Sequence, residues 1–347
     1  MVKLKLLTDK EFKLFEQLTS LSQEGLKKAL AATLKTKYTK FAETKDYIIA
    51  EGNIPIALAA HMDTVFPQPV EELFYDRQKN VIWSSNGLGA DDRAGIFIIM
   101  RLIQKGLRPH IILTVDEEKG CLGARQLAKM PMPFKDLRYI IQLDRRNTCD
   151  CVFYDCDNPK FEDYVQQFGF VTALGSFTDI TEYCPEWKIA GVNLSVGYVD
   201  EHTYSERLYV QAMMATMNKV YKMLTVEEYP EQFEYIPIPY PSTMYNGQKY
   251  NFLDDEVICA LCLKPHYEEE TFPVRTMYGG FKFYCPDCIG VSKKVDWCEV
   301  CGNPFEKISE EPIEHPLCYD CKKYISDAKA LSDGDGKIKV ATDGKKV

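Results

Sequence analysis

Short, continuous apolar runs separated by helical segments restrict the fold of this 347-residue chain more than any other feature. The runs are PIALAA at 55–60, HIILTV at 110–115 and YIIQL at 139–143, with weaker candidates at 46–50 and 191–196. The apolar periodicity predicts helices over 8–34, 92–105, 119–129, 160–168 and 203–224. Strands that are apolar on both faces are typical of a sheet covered by helices on both sides. The sequence therefore predicts an α/β fold with a mixed, mostly parallel central sheet flanked by helices.

Changes in composition divide the chain into four predicted segments. Residues 1–224 carry the alternating strands and helices and are expected to form one domain. Residues 225–255 are rich in Pro and Tyr without a clear period, which indicates an extended linker. Residues 256–325 contain most of the cysteines, and residues 326–347 are polar and Gly-rich, which favours a flexible tail.

The charge and hydrophobic pattern argue against several classes of protein. A formal net charge of −9 does not suit a chain that tracks nucleic-acid phosphates or an anionic membrane surface. No apolar run reaches the roughly 20 residues that a membrane span needs. The first residues, MVKLKLLTDKEF, lack the apolar region and cleavage site of a signal peptide. We therefore expect a cytoplasmic protein that binds neither nucleic acid nor membranes.

Eight of the thirteen cysteines fall in four Cys-x-x-Cys pairs after residue 256. The pairs are Cys259/Cys262, Cys285/Cys288, Cys298/Cys301 and Cys318/Cys321. In a reducing compartment such pairs indicate metal sites rather than disulfides. The first two pairs are separated by 22 residues and the last two by 16, which fits two four-cysteine zinc sites. We expect two tandem zinc ribbons with one structural zinc each. The alternative is a cross-braced arrangement, which joins the first pair to the third and the second to the fourth.

The Cys-rich segment is expected to be held together by metal, because about 70 residues build a poor core by themselves. Its twelve acidic and eight basic side chains between residues 256 and 325 do not favour nucleic-acid binding. Docking of a protein partner or self-association is the favoured role. Cys149, Cys151 and Cys156 could form a further metal site, but scattered thiols are the simpler interpretation.

Acidic and histidine side chains stand at the ends of the predicted strands or just before a helix. The set is His61, Asp63, Asp91, Glu117, Glu118, Asp144 and His202. In an open α/β sheet, ligands bind outside the carboxyl ends of the strands. Carboxylates that converge there repel one another unless a cation lies between them. His, Asp and Glu together suit a divalent metal such as zinc.

Five motifs that contain these residues resemble, in order, those of the co-catalytic dizinc exopeptidases. They are AHMDTV (60–65), GLGADDRAGI (87–96), DEEKGCLGA (116–124), QLDRR (142–146) and VGYVDEHT (196–203). That superfamily includes zinc aminopeptidases and bacterial tripeptidases, and the resemblance covers residues 1–224. It implies a metallohydrolase domain, to which the tandem Cys-x-x-Cys zinc-ribbon segment is appended.

The resemblance also implies a ligand set for two active-site zinc ions. His61 would bind one metal and Asp91 would bridge both, with a cis peptide bond after it. Glu118 and His202 would share one site, while Asp144 would bind the other. Asp91 and Glu118 could instead cap helices, and Asp144 could pair with the arginines that follow it.

Glu117 would be the general base in this family, and Asp63 would lie behind His61 and fix its tautomer. Two metal ions can polarise a carbonyl and lower the pKa of a shared water. We therefore expect a zinc-dependent metallopeptidase or amidohydrolase, most simply an aminopeptidase-like exopeptidase acting on peptides. The alternatives are a carboxypeptidase, an N-acyl-amino-acid deacylase, and a non-catalytic relative that binds peptides or proteins through its zinc module.

The spacing between the expected metal ligands indicates how large the domain is. His61 and Asp91 are 30 residues apart, and Asp144 and His202 are 58 apart. Neither interval has room for the inserted domains of the larger relatives, so we expect a compact form. Asp92 is expected to orient the turn after Asp91 or to cap the helix.

Several other residues have two open interpretations. Asp179, in GSFTDI (175–180), is either an N-cap or a support for a metal ligand. Tyr198 and Tyr204 flank His202 and are favoured as packing residues over oxyanion stabilisers. Arg93 and Arg145 are candidates for a substrate carboxylate anchor, with surface ion pairing as the alternative.

Overall fold

The computed structural model describes residues 6–175, 177–237, 256–267, 271–276, 281–299, 302, 304–307, 313 and 316–318. The predicted tail at 326–347 and most of the predicted linker lie outside these residues. The helices are α1 (Asp9–Thr19), α2 (Gln23–Lys35), α3 (Ala90–Gln104), α4 (Leu122–Ala128), α5 (Pro159–Gln166), α6 (Ile180–Trp187), α7 (Val210–Leu224) and α8 (Pro286–Ile289). Among the described residues, no helix is long and apolar enough to cross a membrane.

The strands of the first part of the chain form two sheets. They are β1 (Lys40–Glu43), β2 (Tyr47–Glu51), β3 (Ile54–His61), β4 (Phe74–Asp76), β5 (Val81–Trp83), β6 (Pro109–Thr114), β7 (Tyr139–Arg145), β8 (Asp150–Val152), β9 (Val171–Thr172), β10 (Gly191–Ser195), β11 (Tyr198–Val199) and β12 (Arg207–Tyr209). The larger sheet has eight strands in the order β1-β2-β6-β3-β7-β10-β8-β9. Its centre, from β6 to β10, is parallel, whereas β1, β2 and β8 run antiparallel to their inner neighbours. The predicted α/β fold class is confirmed.

The central strands bury both faces, as their unbroken apolar sequences predict. In β3, Ile56 and Leu58 contact a core that includes α1, α2, α3 and α7. Ala57 and Ala59 point the other way, into a second core with α4 and α6. Alternate side chains of a strand face opposite sides of the sheet, so one apolar run serves two helical layers.

Three predicted helices are shorter than their apolar patterns indicate, and the one predicted over 119–129 is only Leu122–Ala128. The segment 8–34 is two helices, because the chain breaks after Thr19 and Ser22 caps the second helix. The capping box formed by Thr8 and Glu11 is present. The helix predicted over 203–224 begins only at Val210, because Arg207–Tyr209 pairs with β5 and β11 as strand β12.

The start of the predicted linker packs on the first domain. Phe233 packs against the aromatic rings of Tyr139 and Phe161, with ring centroids 6.0 and 4.9 Å away. Glu234 forms a β-bridge with Ile189. The domain boundaries themselves stay a prediction.

The described residues of the Cys-rich part of the chain form two small sheets. The strands are β13 (Glu256–Ile258), β14 (Pro265–Tyr267), β15 (Phe272–Arg275), β16 (Phe281–Tyr284), β17 (Val295–Trp297) and β18 (Pro304–Glu306). β13 pairs with β14, and the other four have the order β16-β15-β18-β17. β15 and β16 are antiparallel neighbours, and residues 277–280 between them lie outside the described residues.

Candidate metal centre

The site lies at the carboxyl ends of three neighbouring parallel strands. β3 ends at His61, β7 carries Asp144 near its end, and β6 leads into Glu117 and Glu118. Because β6, β3 and β7 are adjacent and parallel, these side chains reach the same edge of the sheet. Asp91 comes from the beginning of α3.

The two carboxylate oxygens of Asp91 face two different groups of side chains. On one side, Asp91 Oδ1 lies 3.0 Å from His61 Nε2, and Asp144 Oδ1 lies 3.4 Å from the same nitrogen. On the other side, Asp91 Oδ2 lies 3.2 Å from His202 Nε2, which is 3.0 Å from Glu118 Oε2. The structure thus brings together all five residues expected to bind metal, in two groups that share Asp91.

Asp63 lies behind His61, on the side away from Asp91. Its Oδ1 is 3.3 Å from His61 Nδ1. The backbone N–H groups of Glu117 and Glu118 donate to the two Asp63 oxygens at 3.0 and 3.1 Å. One buried carboxylate therefore holds the His61 ring and the segment that carries Glu117, which leaves His61 Nε2 free to face Asp91.

The segment around Asp91 has an unusual backbone. The Asp91–Asp92 peptide bond is cis, as the family resemblance implies, and Asp91 and Asp92 lie outside helical φ/ψ. Asp92 accepts hydrogen bonds from the backbone N–H groups of Gly95 at 2.9 Å and His61 at 3.3 Å. Asp92 therefore caps the first turn of α3 and also ties that turn to the end of β3.

Glu206 is a site residue that the sequence analysis missed. It is 1% exposed and accepts hydrogen bonds from the backbone N–H groups of Gly89 at 2.7 Å and Asp91 at 3.0 Å. No motif contains it, and in the sequence it looks like an ordinary polar residue in the first turn of the helix predicted over 203–224. Only the packing of β12 against β5 brings it beneath the Asp91 segment.

The carboxylates of the site are crowded, which shifts their pKa values. Burial, together with the charges of neighbouring carboxylates, raises the pKa of Glu117 to about 9 and that of Asp144 to about 7. Burial also raises the pKa of Glu118. Hydrogen bonds to Asp91 and Glu118 raise the pKa of His202 to about 11. Such a site holds fewer negative charges than it has carboxylates unless a cation is present.

The donor set fits divalent metal ions. The ligand atoms of Asp91, Glu118 and His202 lie within 4.8 Å of one another. Those of His61, Asp144 and Asp92 form a second such group. Mixed imidazole and carboxylate donors suit a borderline or hard divalent ion.

Several polar residues surround Asp144 and Glu117. Thr178 and Tyr198 donate hydrogen bonds to the two oxygens of Asp144, at 2.8 and 3.2 Å. Tyr198 is therefore a buried support of this carboxylate, while Tyr204 is 68% exposed. Asp179 makes no capping bond; it accepts a hydrogen bond from Thr114 in the sheet.

The two arginines proposed as carboxylate anchors are held by groups inside the protein. Arg145 Nε lies 3.9 Å from Oδ2 of the buried Asp150. Arg93 is buried, and its Nη2 donates to the backbone carbonyl of Leu21 at 3.1 Å. Arg145 Nη2 donates to the carbonyl of Leu174 at 2.9 Å. The structure gives neither residue a contact that identifies a substrate carboxylate site.

The first two Cys-x-x-Cys pairs converge. The sulfurs of Cys259, Cys262, Cys285 and Cys288 lie within 4.8 Å of one another, as a four-cysteine site built from sequential pairs requires. Cys298 and Cys318 share a small apolar cluster, while Cys301 and Cys321 lie outside the described residues. Among the described residues, Cys149, Cys151 and Cys156 are in no group of metal-ligating atoms.

Comparison with solved structures finds the same fold in peptidases. Aminopeptidase PepT from Bacillus cereus aligns with 14% identity over 63% of this chain and 98% of its own, with a TM-score of 0.50. A Staphylococcus aureus tripeptidase aligns with 13% identity over 63% and 98%, with a TM-score of 0.51. A TET aminopeptidase from a marine sediment archaeon of the Thaumarchaeota aligns with 15% identity over 64% and 98%, also with a TM-score of 0.51.

At these identities the likeness establishes the fold. The resemblance predicted from the five motifs is therefore confirmed at that level: residues that the motifs single out lie in an aminopeptidase-like and tripeptidase-like α/β domain. No protein-family model matches the chain. No curated protein sequence matches it either.

Proposed function

We propose that this chain is a metal-dependent exopeptidase of the aminopeptidase type, with two zinc ions in its active site. The observation that carries the proposal is the placement of Asp91, whose two oxygens face two separate ligand groups at 3.0 and 3.2 Å. A carboxylate in that position can bridge two ions. The matching fold in aminopeptidases and a tripeptidase supports the choice of a peptide substrate.

The proposed assignment gives each side chain one task. His61 and Asp144 would hold one ion, Glu118 and His202 would hold the other, and Asp91 would be a ligand of both. Bound zinc ions would supply Lewis acidity and lower the pKa of a water between them.

The protein's own side chains perform the remaining tasks. Glu117 lies beside the ligands and is the general base, which takes a proton from the attacking water and passes it to the leaving amine. Asp63 holds the imidazole of His61 so that Nε2 faces Asp91. Glu206 holds the backbone of Asp91, which keeps both oxygens directed at the two ligand groups.

The Cys-rich segment is proposed to hold two structural zinc ions. The first would be bound by the four cysteines that converge. The second would be bound by Cys298, Cys301, Cys318 and Cys321, of which Cys298 and Cys318 share one cluster. A protein partner of this segment and a cytoplasmic location stay predictions.

The test is hydrolysis of a mixed pool of free, N-acetylated and C-amidated peptides, followed by mass spectrometry. The purified protein, loaded with zinc, is expected to remove residues only from peptides with a free N-terminus. Glu117→Gln is expected to keep its active-site metal and to lose about 100- to 10,000-fold in turnover. Glu72→Gln, a change of the same kind at an exposed position, should cleave like the wild type.

Two outcomes would change the assignment. Attack confined to free C-termini or to the acetyl group would contradict the aminopeptidase assignment and indicate a carboxypeptidase or deacylase. A fully metal-loaded protein that leaves every peptide intact would contradict peptidase activity.

A further inference from the structure

We propose that the Cys-rich module positions the active-site hairpin and so controls how tightly the second active-site ion is bound. The Cys-rich module comprises the described residues from 256 to 318, and the active-site hairpin comprises residues 198–209. The inference rests on the proposed function, because it assigns a metal to the His202 side of the site. It gives the module a task within this chain rather than with an outside partner.

The active-site hairpin contributes three residues to the site, of which Tyr198, in β11, donates a hydrogen bond to Asp144. Its loop carries His202, whose Nε2 faces Asp91 and Glu118. The same loop carries Glu206, which accepts hydrogen bonds from the backbone N–H groups of Gly89 and Asp91. A shift of this hairpin would therefore displace one ligand directly and the bridging carboxylate through its backbone.

The strand of the hairpin that faces the Cys-rich module is short. β11 is only two residues long and lies at the edge of the four-stranded sheet β11-β12-β5-β4. Asp200 and His202, in the loop that follows, both have positive φ, of 55° and 62°. Positive φ is uncommon for residues other than glycine and persists where the surrounding structure holds it.

The Cys-rich module packs against β11 at this edge of the sheet. Val199, in β11, is only 3% exposed because it is buried in the apolar cluster of the module. That cluster includes Phe272 and Val274 as well as Cys285 and Cys288, two of the four converging cysteines. The side chain of Val199 thus shares one core with the four-cysteine site.

A second set of contacts holds the other strand of the hairpin and the helix after it. Tyr209, at the end of β12, stacks on Trp297 with a centroid distance of 5.7 Å and an interplanar angle of 19°. Gln211 Nε2 donates to the carbonyl oxygen of Cys298 at 3.2 Å. Gly302 approaches α7 so closely that an added Cβ would lie 2.6 Å from the Cβ of Ala215.

Through these contacts, loss of metal from the four-cysteine site would affect the active site. Small modules of this kind lose their core when their metal is removed. Loss of the metal from the four-cysteine site would therefore uncover Val199 and release Tyr209, and the hairpin would be free to move. Partners that orient a metal ligand typically contribute about 10- to 100-fold to metal affinity.

The test uses Trp297→Ala in the full chain, which removes the stack on Tyr209 and changes neither a cysteine nor an active-site residue. Zinc affinity is measured by competition with a chelator, and metal content by elemental analysis, with His202→Ala as the reference for loss of the second ion. We expect the weakest active-site zinc to bind about tenfold less tightly in Trp297→Ala. Amide hydrogen exchange of residues 198–209 is expected to become faster.

Of two further variants, one is a control within the module and the other removes a second contact to it. Val291→Ala shortens a 69% exposed side chain of the module and is expected to bind zinc like the wild type. Gln211→Ala removes one contact to the module and should weaken active-site zinc in the same direction as Trp297→Ala. Alkylation of cysteines, with zinc present, reports whether the module stays loaded, because bound thiolates are protected.

The outcomes separate this inference from the proposed function. Trp297→Ala and Gln211→Ala proteins that bind active-site zinc and exchange amides like the wild type would overturn the positioning role and leave the peptidase assignment intact. A wild-type protein whose metal content equals that of His202→Ala would overturn the two-metal site, whatever the variants do.

Discussion

Replacing Glu206 by glutamine tests whether backbone hydrogen bonds hold the bridging aspartate in place. The Glu206 carboxylate is buried. It accepts hydrogen bonds from the backbone N–H groups of Gly89 at 2.7 Å and Asp91 at 3.0 Å. Glutamine has nearly the same shape but offers one oxygen and one NH2 group. One backbone N–H would then face a donor in a buried position.

The cost of this change follows from the hydrogen bond that is lost. A buried donor left without a partner costs about 1–3 kcal/mol. If the Asp91 segment moves to relieve it, the cost appears as weaker metal binding, by about 5- to 150-fold. Turnover should fall as well, because Asp91 would no longer face both ligand groups.

The assay is zinc affinity by chelator competition, together with initial rates on a peptide that the wild type cleaves. Glu72→Gln, the same exchange at an exposed position outside the site, is the control. A surface substitution of this kind is expected to change the unfolding free energy by no more than about 0.5 kcal/mol. A Glu206→Gln protein that binds zinc and turns over within twofold of the wild type would refute this account of Asp91 positioning.

Three further predictions concern metal, pH and packing. Dialysis against a chelator should abolish hydrolysis and zinc should restore it; activity that survives in protein shown to be metal-free would contradict the mechanism. Burial lowers the pKa of His110 to about 4, so the unfolded chain binds a proton between pH 6.5 and 4 that the native state does not. The contribution of His110 to stability should therefore fall as the pH decreases through this range, so urea unfolding should show the wild type losing up to about 2 kcal/mol relative to His110→Gln between pH 7 and pH 5. Gly95→Ala would place a Cβ 2.1 Å from the carbonyl oxygen of Leu143, so it should lower the unfolding free energy by about 1–3 kcal/mol; a thermal midpoint equal to the wild type's would contradict this.

The alternation of apolar runs and helices was sufficient to predict the sheet and the edge at which His61, Glu117 and Asp144 meet. This works because burial on both faces demands continuous apolar strands, and parallel strands deliver their following residues to one side. The five motifs then located Asp91 and His202. The structure brings all of these side chains together.

Helix boundaries were less accessible to the sequence. Residues 203–209 carry no signal that separates them from the helix that follows. Residues 207–209 form a strand because β5 and β11 offer backbone partners on both sides. Pairing between segments so distant along the chain is a tertiary effect, and local propensity does not register it.

The sequence by itself determined which residues could bind metal, because ligand chemistry is a property of residue type and motif order. Only the tertiary structure decided which residues hold those ligands in place. Glu206 supports Asp91 through backbone N–H groups, and Val199 is buried in the core of the Cys-rich module. Such contacts depend on which distant segments pack together, and a backbone N–H is the same group in almost every residue, so no sequence pattern marks the partner that it finds.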